Sequence, residues 1–75
     1  MKALAIEIKA RRLALKMSQE VLAGKCDLDR PYISLIEVAR KQPTISVLLK
    51  LAEGLEYGLP EMMQRVVDRY LLESS

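Results

Sequence analysis

Apolar residues recur along this chain at the spacing of amphipathic helices, and short polar or turn-forming stretches separate them. In the first segment, Leu4, Ile8 and Leu15 lie on one helical face, with basic residues between them. No run of alternating apolar and polar residues indicates a strand. We therefore predict an all-α, five-helix fold whose helices cover about residues 2–16, 19–25, 30–38, 45–54 and 59–72.

The predicted helix starts carry residues that stabilise helix N-termini. Ser18, Asp29 and Thr44 each precede a helical segment, where a side-chain oxygen can accept an otherwise unpaired backbone N–H. Pro31 and Pro60 lie in first turns, where the missing N–H has no intrahelical partner. These signals divide the chain at the turn Cys26-Asp27-Leu28, the basic loop from Ala39 to Pro43, and the loop Glu56-Tyr57-Gly58.

Length and composition favour one small globular domain. The chain has 75 residues, of which 51% are hydrophobic and 29% charged. A domain of this size buries a modest fraction of its surface, so pairing with a second copy would stabilise it. Cys26 is the one cysteine, which fits a reducing compartment, and no signal peptide or membrane-spanning run is apparent. We expect a cytoplasmic protein with no membrane partner.

Charge is divided unequally along the chain. Residues 1–50 carry ten Lys or Arg and five Asp or Glu, a net charge of +5, whereas residues 51–75 carry two and five, a net charge of −3. A basic front and an acidic back suggest that the front meets a polyanion. An ordinary solvated surface is the alternative that charge alone leaves open.

The second and third helices, joined by a three-residue turn, form a helix-turn-helix pattern. The third helix opens with Arg30-Pro31-Tyr32, whereas Ile33 and Ile36 lie at the spacing of a buried face. In this motif the start of the second of the two helices enters the DNA major groove, so its first turn is polar and unburied. The pattern therefore predicts a double-stranded DNA-binding protein.

The stretches SQEVLAGKCDLDRPYISLIE and RKQPTISVLLKLAEGL resemble the Xre/Cro-repressor family of bacterial and phage regulators. The resemblance covers about residues 6–63 and implies a phage-repressor-like fold and a homodimer on a pseudo-palindromic operator. Within that family, LDRPYIS is most similar to controller proteins of restriction–modification systems, small dimeric regulators that act on their own promoter. Two positions usually held by glycine are Asp27 and Ala39 here, which implies a small conformational cost in the turn and either strain or a different shape in the loop.

Four residues of the third helix are candidates for base contacts. Arg30 can make a bidentate contact to guanine; the alternative is a solvated arginine, although the helix dipole disfavours a cation there. The resemblance places Pro31 near a base edge, although it also suits a helix start. Ser34 and Leu35 lie one turn on, and the resemblance directs Leu35 toward the groove, where a thymine methyl could meet it.

A second group is predicted to contact phosphates. The resemblance gives Gln19 this role, against the alternative of an ordinary helix-start residue. Tyr32 could donate its hydroxyl to a phosphate, or its ring could be partly buried beside the second helix. The other candidates are polar residues that could equally be solvated: Lys16, Arg40, Lys41, Gln42, Thr44 and Ser46.

Two further residue roles are structural. The resemblance implies a pair between Arg12 of the first helix and Glu37 at the end of the third. Cys26 is interpreted as a small buried hydrophobe, with a redox-sensing thiol as the alternative.

The last helix has more apolar residues than one core-facing stripe needs. We expect Leu59 and Met62 to join the core. A two-fold dimer interface is predicted from Met63, Val67, Tyr70 and Leu71; a core that wraps the whole helix is the alternative.

An enzyme is not expected, because the chain has no histidine, no glycine-rich phosphate loop and no paired-cysteine metal pattern. No cofactor, metal or small-molecule ligand is expected. We interpret the chain as a sequence-specific, autoregulatory transcriptional regulator. The competing hypothesis is an antitoxin or another protein-interaction module that binds its partner through the apolar last helix.

Overall fold

The computed structural model describes residues 2–74, and the fold of that range is five α-helices without a strand. The all-α, five-helix prediction is confirmed, with differences of one or two residues at helix ends. The first helix ends at Ala14 and not near residue 16, Cys26 belongs to the second helix and not to the turn, and the last helix extends to Ser74. The helices are α1 (Lys2–Ala14), α2 (Gln19–Cys26), α3 (Arg30–Glu37), α4 (Ile45–Gly54) and α5 (Leu59–Ser74).

Two of the three predicted N-caps form side-chain hydrogen bonds. Ser18 Oγ accepts from Val21 N at 3.0 Å, and Thr44 Oγ1 accepts from Val47 N at 3.3 Å. Asp29 occupies the N-cap position of α3 with extended backbone angles, but its side chain makes no capping hydrogen bond. Its carboxylate is therefore exposed beside the first turn of α3.

The first four helices all end in the same left-handed turn. The first or second residue after each helix has a positive φ, and the backbone N–H of the residue that follows it donates to a carbonyl five residues earlier, at 2.9–3.1 Å. Glycine is the usual residue at such a position, but here it is Lys16, Asp27, Ala39 or Glu56. After three of these turns an apolar side chain folds back onto the core: Met17, Leu28 and Tyr57.

One hydrophobic core joins all five helices. Its fully buried side chains include Ile8 from α1, Leu22 from α2, and Ile33 and Ile36 from α3. From the second half of the chain, α4 contributes Leu51, and α5 contributes Met62 and Val66. The buried face of α3 therefore holds the start of that helix in a fixed position against α1 and α2.

Several apolar residues do not face the core. Leu48 and Ala52 of α4 are buried, whereas Ile45 and Leu49 at the same helical spacing are 68% and 52% exposed. Val21 of α2 is also exposed. In α5, Met62 joins the core as expected and Leu59 packs partly against it. Since α4 is apolar over most of its surface, only its neighbours decide which face is buried.

Candidate DNA interface

The first turn of α3 presents polar atoms above a buried apolar face. Arg30 and Pro31 are exposed, and Leu35 is 40% exposed one turn further on. Ile33 and Ile36 on the opposite side are fully buried. The three exposed residues therefore share the outward side of a helix that its inward side holds in place, as contact with base edges requires.

Ser34 and Tyr32 are only partly accessible. Both are half-buried, and the Tyr32 ring packs against the edge of the core. The Tyr32 ring is therefore partly buried, which was the alternative that the sequence left open for this residue. The hydroxyl of a ring placed in this way can still reach a phosphate at the edge of the interface.

Arg12, Gln19 and Glu37 bring α1, α2 and α3 together. Arg12 Nε donates to Glu37 Oε2 at 2.8 Å and Arg12 Nη2 to Glu37 Oε1 at 3.0 Å, a bidentate ion pair. Gln19 Nε2 also donates to Glu37 Oε1, at 3.1 Å. The Glu37 side chain is only 2% exposed. Because Glu37 ends α3, this cluster fixes α3 against α1 and α2.

Arg12 has a further bond within the turn after α1. Its Nη1 donates to the backbone oxygen of Met17 at 2.8 Å. The hydrogen bond to Glu37 raises the pKa of Arg12, and desolvation by burial only partly opposes this effect. The guanidinium therefore stays charged and neutralises the buried carboxylate.

Besides Gln19 at the start of α2 and Tyr32 in α3, six predicted phosphate contacts lie in two places. Lys16 is exposed in the turn between α1 and α2, and the other five candidates are exposed in the α3–α4 loop and the first turn of α4. The hydroxyls of Thr44 and Ser46 lie 3.4 Å apart. Thr44 Oγ1 already accepts the N-capping hydrogen bond of α4, so it would have to cap the helix and bind phosphate at the same time. The remaining candidates in this segment are Arg40, Lys41 and Gln42.

Sequence reasoning missed a second buried ionic cluster. Glu7 is 2% exposed; Tyr57 Oη donates to its Oε2 at 2.9 Å, and Arg69 Nε donates to its Oε1 at 2.8 Å. Burial, and secondarily the bond to Glu7, raise the pKa of the Tyr57 hydroxyl. Arg11 stacks on the Tyr57 ring at 4.6 Å. The partners are 50 and 62 residues apart in the chain, so no local pattern indicates them.

The dimer candidates on α5 differ in exposure. Val67, Tyr70 and Leu71 are 45–60% exposed, whereas Met63 is half-buried and packs partly on the core. Ile45 and Leu49 on α4 are further exposed apolar residues that the sequence analysis did not assign to an interface. A monomer leaves these side chains in water.

Cys26 is buried, and desolvation raises the pKa of its thiol. A redox sensor requires an exposed thiol of low pKa, so the structure favours the interpretation as a small buried hydrophobe.

Within residues 2–74 there is no group of three metal-binding side chains, and no helix there has the length and apolar character needed to cross a membrane.

Two short helices joined by a tight turn, of which the second exposes its polar first turn, are the arrangement of the helix-turn-helix class of domains. The family described as helix-turn-helix matches residues 8–62, and the chain belongs to this family. Its relatives include the control protein C.SmaI of Serratia marcescens, which is 34% identical over 62 residues, 83% of this chain and 74% of that protein.

Two solved structures are similar over almost the whole fold. One contains the restriction–modification controller protein C.Esp1396I as a tetramer in complex with its natural 35-base-pair operator. It has a TM-score of 0.87 and 36% identity, and the match covers 93% of this chain and 92% of that one. The controller protein C.AhdI from Aeromonas hydrophila has a TM-score of 0.78 and 30% identity, over 81% of this chain and 92% of that one.

Proposed function

We propose that the chain is a restriction–modification controller protein that binds an operator in double-stranded DNA as a homodimer and regulates transcription, including that of its own gene. The observation that carries the proposal is the exposed first turn of α3, with Arg30 and Pro31 outward and Ile33 buried beneath them. A structural relative with 36% identity is a controller protein in complex with its operator, which supports operator binding by this chain.

Each predicted contact keeps its role in this proposal. Arg30, Pro31, Ser34 and Leu35 would contact base edges, and Gln19 and Tyr32 would contact phosphates at the start of α2 and the edge of α3. The basic loop and its neighbours would position the protein without selecting sequence. These positioning residues are Lys16, Arg40, Lys41, Gln42, Thr44 and Ser46.

The same proposal covers organisation and location. The chain would act as one DNA-binding domain in the cytoplasm, with α5 contributing to the dimer through Met63, Val67, Tyr70 and Leu71, and without catalytic activity. Because its relatives are controller proteins, we favour this function over an antitoxin.

The test compares binding of wild type, Arg30→Ala and Arg40→Ala to the DNA upstream of the gene and to a scrambled duplex, at two salt concentrations. Arg30→Ala should lose about 1–3 kcal/mol of discrimination while retaining weak, salt-sensitive binding. Arg40→Ala should weaken binding to both duplexes alike and reduce the salt dependence. Lys25→Ala is the matched control, because Lys25 is bonded to Glu56 at 3.0 Å, outside the predicted contacts.

Wild-type protein that binds both duplexes equally at both salt concentrations would contradict the proposal of autoregulation. Loss of discrimination in Arg40→Ala but not in Arg30→Ala would contradict the assignment of base contacts to α3.

A further inference from the structure

Helix α1 has apolar residues on two faces, and the core accounts for one of them. Leu4 and Ile8 point inward and are buried. Ile6, Ala10 and Leu13 recur at helical spacing on another face, where Ile6 is 46% and Leu13 55% exposed. Neither the predicted DNA contacts nor the predicted dimer interface includes these residues.

A groove lies along this outer face of α1. It has a volume of about 370 Å³ and is lined by Ala5, Ile6, Lys9, Ala10, Leu13 and Glu37. A second depression of about 170 Å³ shares Ile6 with it and continues to Val38, which is 60% exposed. The two together form an apolar groove between α1 and the end of α3, which we call the α1–α3 groove.

The charge around the α1–α3 groove is positive. Lys2 and Lys9 line it and are exposed. Glu37 is the carboxylate that lines both depressions, but Arg12 and Gln19 already bind its oxygens. A molecule in the groove therefore meets an apolar floor and two lysine ammonium groups.

We propose that the α1–α3 groove binds a short, acidic amphipathic helix of another protein. The groove would accept apolar side chains on one face of that helix, as in other helix-in-groove complexes, and Lys2 and Lys9 would pair with carboxylates beside them. DNA fits less well, because its charged phosphates would make no favourable contact with the exposed apolar side chains of Ile6, Leu13 and Val38. A second copy fits less well too, because its most apolar exposed helix, α5, faces its own partner in the proposed dimer. This inference goes beyond the proposed function and rests on it in one respect, the α5 dimer that sets aside a second copy as the occupant.

The probe is a synthetic acetylated peptide of about four helical turns, with leucine on one face and glutamate on both flanks. A second peptide carries lysine in place of each glutamate. Titration of the acidic peptide into the ¹⁵N-labelled 75-residue protein should shift the amide signals of Ile6, Ala10, Leu13 and Val38. The acidic peptide should bind at least tenfold more tightly than the basic one.

Two variants test the two parts of the groove. Ile6→Ser/Leu13→Ser should weaken acidic-peptide binding at least tenfold, and Lys2→Glu/Lys9→Glu should reverse the preference between the peptides. All four side chains are exposed, so both variants should keep the wild-type melting temperature. Equal binding of the two peptides, or shifts confined to α5, would overturn the proposal. Concentration-dependent shifts at the groove without peptide would overturn it in favour of a second copy.

Discussion

At the residue scale, Gly54, the last residue of α4, lies against Cys26, the last residue of α2. A Cβ on Gly54 would collide with the Cys26 Sγ and would also contact Leu22. Both neighbours are buried, so neither can move into solvent. The absence of a side chain at Gly54 therefore permits the contact between the two helices.

Gly54→Ala should destabilise the protein by about 1–3 kcal/mol, because the added methyl overpacks the core. Gly24→Ala is the matched control, because Gly24 is exposed in α2 and an added Cβ would contact no other atom. This variant should be more stable than wild type by about 0.4–1 kcal/mol. Denaturant unfolding measures both. Cys26→Ala in the Gly54→Ala background should recover part of the loss, and a loss unaffected by this change would contradict the proposed collision.

Ala39 adopts the left-handed conformation that glycine adopts without cost. Its φ is 61°, and alanine has no polar side chain to compensate for this conformation. Ala39→Gly should raise the free energy of unfolding by about 1 kcal/mol. Ala14→Gly, at the exposed end of α1, is the control and should not raise the free energy of unfolding. A destabilised Ala39→Gly protein would show that the turn is not strained.

At the scale of elements, two helix caps were predictable from local sequence, whereas long-range partners were not: the pair of Arg12 and Glu37 was predicted from the family resemblance alone. The starts of α2 and α4 depend on Ser18 and Thr44, whose bonds reach only three residues, so short motifs identify them. The left-handed helix ends lack glycine, the residue that usually marks them. The bonds of Glu7 to α5 and to the α4–α5 loop arise only when distant segments meet, and periodicity has no information about them.

The ion pair between Arg12 and Glu37 should affect stability mainly because removal of one partner leaves the other charge buried and unpaired. Arg12→Met should destabilise the protein by about 3–5 kcal/mol, because Glu37 would retain only the Gln19 amide. Arg12→Met/Glu37→Met should recover much of that loss. Glu37→Met is the third variant of this double-mutant cycle. Thermal unfolding measures the stability of wild type and of all three variants. A double variant no more stable than Arg12→Met would contradict this explanation.

Tyr57 should make stability fall at alkaline pH. Its pKa is raised in the folded state, through burial first and the bond to Glu7 second, above the usual value of about 10. Its stabilisation is therefore complete below about pH 10 and is lost as the pH rises further toward the folded-state pKa. Tyr57→Phe should be about 1.5–3 kcal/mol less stable than wild type at neutral pH, and the difference should shrink above pH 10. A constant difference in unfolding experiments across this range would contradict the assignment.

At the scale of the whole molecule, charge is separated along the chain. The first 50 residues carry the net positive charge and all the predicted DNA contacts, and the last 25 carry the net negative charge and α5. A two-fold dimer through α5 would place two copies of α3 about 34 Å apart, one turn of DNA. Dimerisation and operator binding would then be linked, so operator affinity should depend steeply on protein concentration.

Leu71→Asp should separate the dimer into monomers, because it places a carboxylate in the proposed α5 interface. Leu13→Asp is the matched control, since Leu13 is 55% exposed and Leu71 60% exposed, and Leu13 lies on α1 away from that interface. Sedimentation should show a monomer for Leu71→Asp and a dimer for wild type and Leu13→Asp. Operator binding by Leu71→Asp should weaken at least tenfold, since each monomer contacts one half-site. If Leu71→Asp sediments as a dimer, α5 does not form the dimer interface. If a wild-type monomer binds the operator with a simple one-site isotherm, the protein does not need the α5 dimer to recognise its operator.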